Sequence, residues 1–195
     1  MRTRRGAILF GLLVLQYVAL FEAAARADCD SRFPGIARGI HSWEERRHTM
    51  VSRGVASTLN SEFCDTADAL KRERGVTEER IAEVAQRVVE KYLEAQTRSD
   101  GPGPPSLRAS IGAELGLPGL ARPHTPRWCV LKMVYEIAAD KIVVDGETFS
   151  SIAELLVKPG TLEIKGYKSS TEVCSGNITV DVPAGGTFHC KRTGK

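Results

Sequence analysis

Three residues of metal-ligand type stand at His41, Glu45 and His48, spaced so that one continuous helix would carry them on a single face. The same stretch argues against a cation. Ser42 followed by Glu45 is a capping-box pattern, which would start the helix after His41 and break the face, and Arg46 and Arg47 add positive charge beside it. No metal site is therefore expected. Nucleophilic catalysis needs a thiol or hydroxyl beside a His and an orienting acid. His189 precedes Cys190, but neighbours on a strand point to opposite faces, so the two cannot act as a dyad. His124 and Cys129 are separated by a Pro-containing stretch, where a meeting would depend on the loop alone. The sequence holds no G-x-S-x-G, P-loop, H-E-x-x-H or G-x-G-x-x-G pattern, and no catalytic or cofactor-binding residue is assigned. The acids fall on helix faces where Arg answers them, as Glu83 with Arg87 does one turn on. Asn177-Ile178-Thr179 matches the N-glycosylation sequon, which has meaning only in a eukaryotic secretory route.

The residues with the clearest chemistry are five cysteines, Cys29, Cys64, Cys129, Cys174 and Cys190. They contain no C-x-x-C spacing, which argues against a thioredoxin-type redox site and the common zinc-finger pairing. An odd number allows at most two bridges and leaves one thiol over. Cys29 and Cys64 are the pair available within the N-terminal half. Closing that loop removes unfolded-state entropy worth roughly 3 to 4 kcal/mol. Farther on three cysteines compete: Cys174 with Cys190 is one pairing, and Cys129 with Cys190, which share inward parity on their strands, is the other.

Disulfides require an oxidising compartment, and the N-terminus supplies a route to one. Arg2, Arg4 and Arg5 precede an uncharged, largely apolar run from Gly6 to Phe21, and Ala25-Arg26-Ala27 then offers an A-x-A cleavage site before Asp28. This is the layout of a secretory signal peptide over residues 1–27. The run is interrupted by Gln16 and is short of the roughly 20 residues that span a bilayer. Cleavage, and no membrane span after it, is the expectation. Asp28 occupies the place where a lipobox needs a small neutral residue.

The leader also explains the charge. The full chain of 195 residues has 27 Lys+Arg against 24 Asp+Glu, a formal +3 that invites a nucleic-acid reading. Residues 1–27 hold four of those bases and one acid, so the mature chain carries 23 of each sign. Residues 28–127 carry 15 of each and 128–195 carry 8 of each. Phosphate-backbone binding needs clustered positive charge, so nucleic acid is not an expected partner.

The elements that must position these residues differ between the two halves. Bases in residues 28–127 are 13 Arg and 2 Lys, while 128–195 use 7 Lys and only Arg192. Residues 28–96 read as a helical unit: Val51, Val55, Leu59, Phe63, Ala67 and Leu70 form one apolar stripe that Gly75 ends. A second helix starts at Thr77 with Glu78 and Glu79 and carries Ile81, Val84, Ala85, Val88, Tyr92 and Leu93. Two amphipathic helices on a short connection predict an antiparallel hairpin. Residues 97–127 read as a Pro/Gly-rich connector with one short helix around Leu107 to Leu115.

Residues 128–195 read as a small, mainly antiparallel β unit. Strands are expected at Cys129–Ile137, at Ile142–Val144 before the Asp145-Gly146 turn, and at Leu162–Tyr167. A short helix is expected at Ser150–Leu156. A terminal hairpin turning at Pro183–Gly186 would place Cys190 opposite Thr179. The fold class is thus α+β, a helical hairpin followed by a β unit and stapled by disulfides. The order of Val144-Asp145-Gly146, Pro159-Gly160, Gly166-Tyr167 and a terminal hairpin resembles PEGA-type β modules of bacterial surface proteins, and Glu136–Ile164 is similar to the periplasmic part of ExbD/TolR-type proteins. Both resemblances leave the helical half unaccounted for, and no family is assigned. The functional expectation is an exported binding, interaction or structural protein, periplasmic or secreted, with a protein partner and no cofactor. The alternative is a small secreted hydrolase with its site between the two units.

Overall fold

The computed structural model describes residues 29, 31–97, 104–117, 119–120, 127–182 and 184–191. The leader at 1–27, connector residues 98–103 and 121–126 with His124, and Pro183 lie outside them. Among the described residues four helices come first: α1 (Gly35–Arg47), α2 (Arg53–Arg74), α3 (Glu78–Gln96) and α4 (Leu107–Glu114), with a three-residue strand β1 (Thr49–Val51) between the first two. Seven strands follow: β2 (Cys129–Tyr135), β3 (Lys141–Val144), β4 (Glu147–Ser150), β5 (Glu154–Val157), β6 (Gly160–Lys168), β7 (Thr171–Val180) and β8 (Gly186–Cys190). The architecture is α+β, stapled by two disulfides.

The strands form two four-stranded sheets, ordered β1-β5-β2-β8 and β4-β3-β6-β7. The second is antiparallel throughout; in the first, β1 runs parallel to β5 and β8 parallel to β2. Side chains alternate across a strand, so one strand can serve two cores. On β5, Leu155 and Val157 enter the apolar core between the sheets, whereas Leu156 joins the helical core with Trp43, Phe63 and Tyr92. Trp128 lies on the helical side, edge-on to Tyr92 at 5.7 Å, and the next residue, Cys129, enters the sheet core.

The α3 stripe is buried as its spacing predicts, and Thr77 caps the helix by accepting a hydrogen bond from the Arg80 N–H. The α2 stripe is buried from Val55 to Leu70, and Gly75 ends that helix at φ 63°. Its start differs from the expectation. Val51 belongs to β1, and Ser52 is the N-cap, its hydroxyl accepting from the Val55 N–H. Ser42 and Glu45 form no capping box, because α1 already begins at Gly35 and both lie inside it. Helix propensity disfavours Gly35 and Gly39, and close packing against α3 explains them. A Cβ on Gly39 would stand 2.8 Å from both Gln86 O and Val89 Cβ.

Two β-unit expectations are also corrected. Ser150–Leu156 contains no helix: Leu155, Leu156 and Val157 form a strand apolar on both faces, a pattern that periodicity does not separate from a buried helical turn. The terminal hairpin is replaced by a crossover between sheets. After one isolated bridge, Asp181 to Gly185, the chain leaves the second sheet, and β8 pairs parallel with β2, placing Cys190 beside Tyr135. Gly185 has φ 69° and packs on the Val130 carbonyl, so the crossing has no room for a side chain. The Asp145-Gly146 turn forms as expected, with φ 47° and 80°.

Two glycine substitutions should separate packing from propensity. Gly39→Ala forces apart α1 and α3 and should destabilise by about 1 to 3 kcal/mol. Gly54→Ala, where a Cβ meets nothing within 4 Å, should stabilise by about 0.4 to 1 kcal/mol. Urea melts of the two variants against the parent check the opposite signs.

Candidate functional site

The residues singled out for metal chemistry are brought only partly together. His41 Nε2 lies 3.2 Å from Glu45 Oε1 on the exposed face of α1, while His48 is the left-handed C-cap at φ 53°. Among the described residues no group of three or more His, Cys, Asp or Glu has the arrangement to hold a metal ion. On β8 the two neighbours diverge as strand geometry requires. His189 is exposed with Nδ1 3.4 Å from Glu136, and Cys190 is buried in a disulfide.

Four of the five cysteines form two disulfides. Cys29 is joined to Cys64 with Cα atoms 6.0 Å apart, which ties the start of the fold to α2. Of the two pairings left open by sequence, Cys174 is joined to Cys190, Cα atoms 5.3 Å apart, and Cys129 is free. This second bond links β7, the last strand of one sheet, to β8, the last strand of the other. Gly166, opposite Cys174 in register, leaves room for the sulfurs: a Cβ there would stand 2.5 Å from Cys174 Sγ. The Cys129 thiol is 3.8 Å from the Val157 carbonyl. Burial, aided by the negative charge of Asp181, pushes its pKa up to about 11. Such a thiol stays protonated and is a poor nucleophile. The native protein should therefore react with no equivalent of iodoacetamide and the unfolded, unreduced protein with one, at Cys129. Rapid native labelling would contradict this.

Next to the first disulfide, Arg32 fixes the same segment electrostatically. Its Nη2 donates to Asp68 at 2.6 Å and to Glu78 at 3.0 Å, and its Nε donates to Glu78 at 3.1 Å. These hydrogen bonds hold both carboxyl pKa values below their ordinary range. A carboxylate depressed in the fold contributes stability above its unfolded pKa and loses it as pH falls through the folded value. Thermal stability should thus decline below about pH 4, the unfolded carboxylate range. Arg32→Met should lower the midpoint at pH 7 and flatten that acid-side decline, as calorimetry at a series of pH values would show. The effect is modest, because the Asp68 side chain remains 45% exposed.

A polar groove lies where the helical layer meets the first sheet. It encloses about 380 Å³ and is lined by Arg47, Gln96, Lys132, Glu154, Gly186 and Thr187 among others. Glu154 accepts from the Thr49 hydroxyl at 2.9 Å and has Lys132 Nζ at 3.9 Å, and Arg47 Nη1 is 3.7 Å from Glu94. Gln96 Oε1 accepts from the Arg127 N–H at 2.9 Å, bridging α3 to the entry of β2. The hydrolase alternative placed a site between the two units, and the free Cys129 does line this groove, but sequence reasoning named none of its other residues as site residues. Its walls come from both halves, and the one local signal, Gly185-Gly186, reads equally well as a turn. The chemistry on offer is hydrogen bonding and charge pairing. No protein-family model matches the chain, and no curated protein or solved structure is detectably similar to it.

Proposed function

We propose that this is an exported, disulfide-stapled binding protein, periplasmic or secreted, that acts by contact with another protein of the cell envelope or extracellular space. The observation that carries the reading is the placement of the two disulfides, one at each end of the described fold. Such bonds persist where thiols are oxidised. The basic leader and the neutral mature chain support the same reading, as does the fact that among the described residues no helix is long and apolar enough to cross a membrane. The groove between helices and sheet is the contact surface we favour, because its exposed Arg47 and Lys132 side chains are only loosely paired. A partner bearing acidic groups would fit there.

The test is a binding measurement with residues 28–195. The protein is immobilised and exposed to an extract of its own compartment, and the captured protein is purified and titrated against the parent and an Arg47→Glu, Lys132→Glu variant. Saturable binding that the double variant weakens by about tenfold or more, the scale of one or two lost ion pairs at an interface, is the expected result. Retention of nothing specific, or equal binding by a folded double variant, overturns the proposal or its surface respectively.

A further inference from the structure

One group lining the groove between the helices and the first sheet is left unsatisfied by the fold. Gln96 is 3% exposed, and its Oε1 accepts from the Arg127 N–H at 2.9 Å. A backbone N–H can only donate, so this contact fixes which end of the side-chain amide is oxygen and which is nitrogen. Nε2 is then buried with no hydrogen-bond partner. The Tyr92 hydroxyl feels the dipole of this amide but stands outside hydrogen-bonding geometry, and Nε2 has two N–H groups to place. Buried amide donors are nearly always paired, and an unpaired one costs free energy that a bound acceptor returns.

The other groups in the groove suit an acidic acceptor. Lys132 pairs in register with Glu154 on one side and Thr187 on the other, which sets the three in a row across β5, β2 and β8. Glu154 is the one acid among the described lining residues, and its carboxylate already accepts from the Thr49 hydroxyl at 2.9 Å. Lys132 Nζ stands 3.9 Å from Glu154 and Arg47 Nη1 3.7 Å from Glu94, so both bases keep donors to offer. The C-terminal ends of α1 and α3 oppose an anion here, so affinity must come from these direct donors. At about 380 Å³ the groove is near the lower end of ligand sites, about 300 to 1,000 Å³. That is room for a small group and not for a folded surface.

We propose that the groove captures the free carboxyl end of a partner chain, with Gln96 Nε2 as the buried donor and Lys132 and Arg47 as the charged ones. A chain end brings a carboxylate into a recess without backbone continuing past it, a known mode of peptide capture. The inference rests on the contact reading above and adds to it which part of the partner is held.

Oxidised residues 28–195, labelled with nitrogen-15, are titrated by NMR with an acetylated alanine tripeptide that has a free carboxyl end, with its C-terminal amide, and with an amidated tripeptide whose middle residue is glutamate. The free carboxyl end is expected to shift the Gln96 side-chain amide and the Lys132 and Thr187 backbone signals, and the C-terminal amide to leave them in place. Gln96→Glu keeps the acceptor for the Arg127 N–H and removes the donor; it should weaken the tripeptide at least about tenfold, the scale of one lost hydrogen bond to a charged group. Lys132→Met, which leaves the Arg127 contact alone, should weaken it as well. Signals that no probe moves mean that water satisfies the amide, and overturn the proposal; equal shifts by the C-terminal amide or by the internal glutamate overturn the assignment to a chain end. In either case a captured partner that still loses affinity to the Arg47→Glu, Lys132→Glu variant leaves the contact reading standing.

Discussion

The structure depends on β5 being apolar on both faces. Leu156 fills the helical core and Leu155 with Val157 fills the core between the sheets, so three residues hold two layers that would otherwise each be thin. A small core buries too little surface to offset chain entropy by itself. Sharing a strand makes one assembly of two marginal parts. The joint is reinforced where it is most exposed: the Ser52 N–H donates to the Leu156 carbonyl at 3.0 Å, and the Glu147 carboxylate accepts from the Arg53 N–H at 2.9 Å, capping α2 from across the fold.

The same constraint governs the sheet edges. A bare edge strand is a template for pairing with other chains, and the β1 and β4 edges are engaged by groups of the helical half. On β1, Glu44 accepts from the outward Val51 N–H at 2.7 Å. Burial raises the Glu44 pKa, and that hydrogen bond opposes the rise. Strand β4 has only four residues, and its Glu147 is held by the start of α2. On the other side β7 and β8 are joined by the Cys174–Cys190 bond.

Much of this was legible in the sequence, for physical reasons that differ by element. The α3 stripe was legible because 3.6-residue periodicity, an N-cap and acids in the first turn agreed. Asp145-Gly146 was legible because few residues adopt its backbone. By contrast α1 was hidden by Gly35 and Gly39, whose value lies in closeness to Ala85 and Val89 rather than in local preference. β5 was hidden because a strand buried on both faces loses its alternation. The parallel course of β8 and the choice of Cys174 over Cys129 were decided by packing between sheets, which no short window contains. The groove followed the same rule, since Gln96 and Arg127 meet across 31 residues.

If β5 unites the layers, weakening one face of it must be felt in both. Hydrogen exchange on a Leu156→Ala variant tests this directly. The substitution empties part of the helical core and should cost about 2 to 5 kcal/mol. Protection should fall together in α3 and in the β6–β7 ladder, by the same factor and in one cooperative transition. Loss of protection confined to the helices, with β6 and β7 exchanging as in the parent, would contradict the shared-strand account.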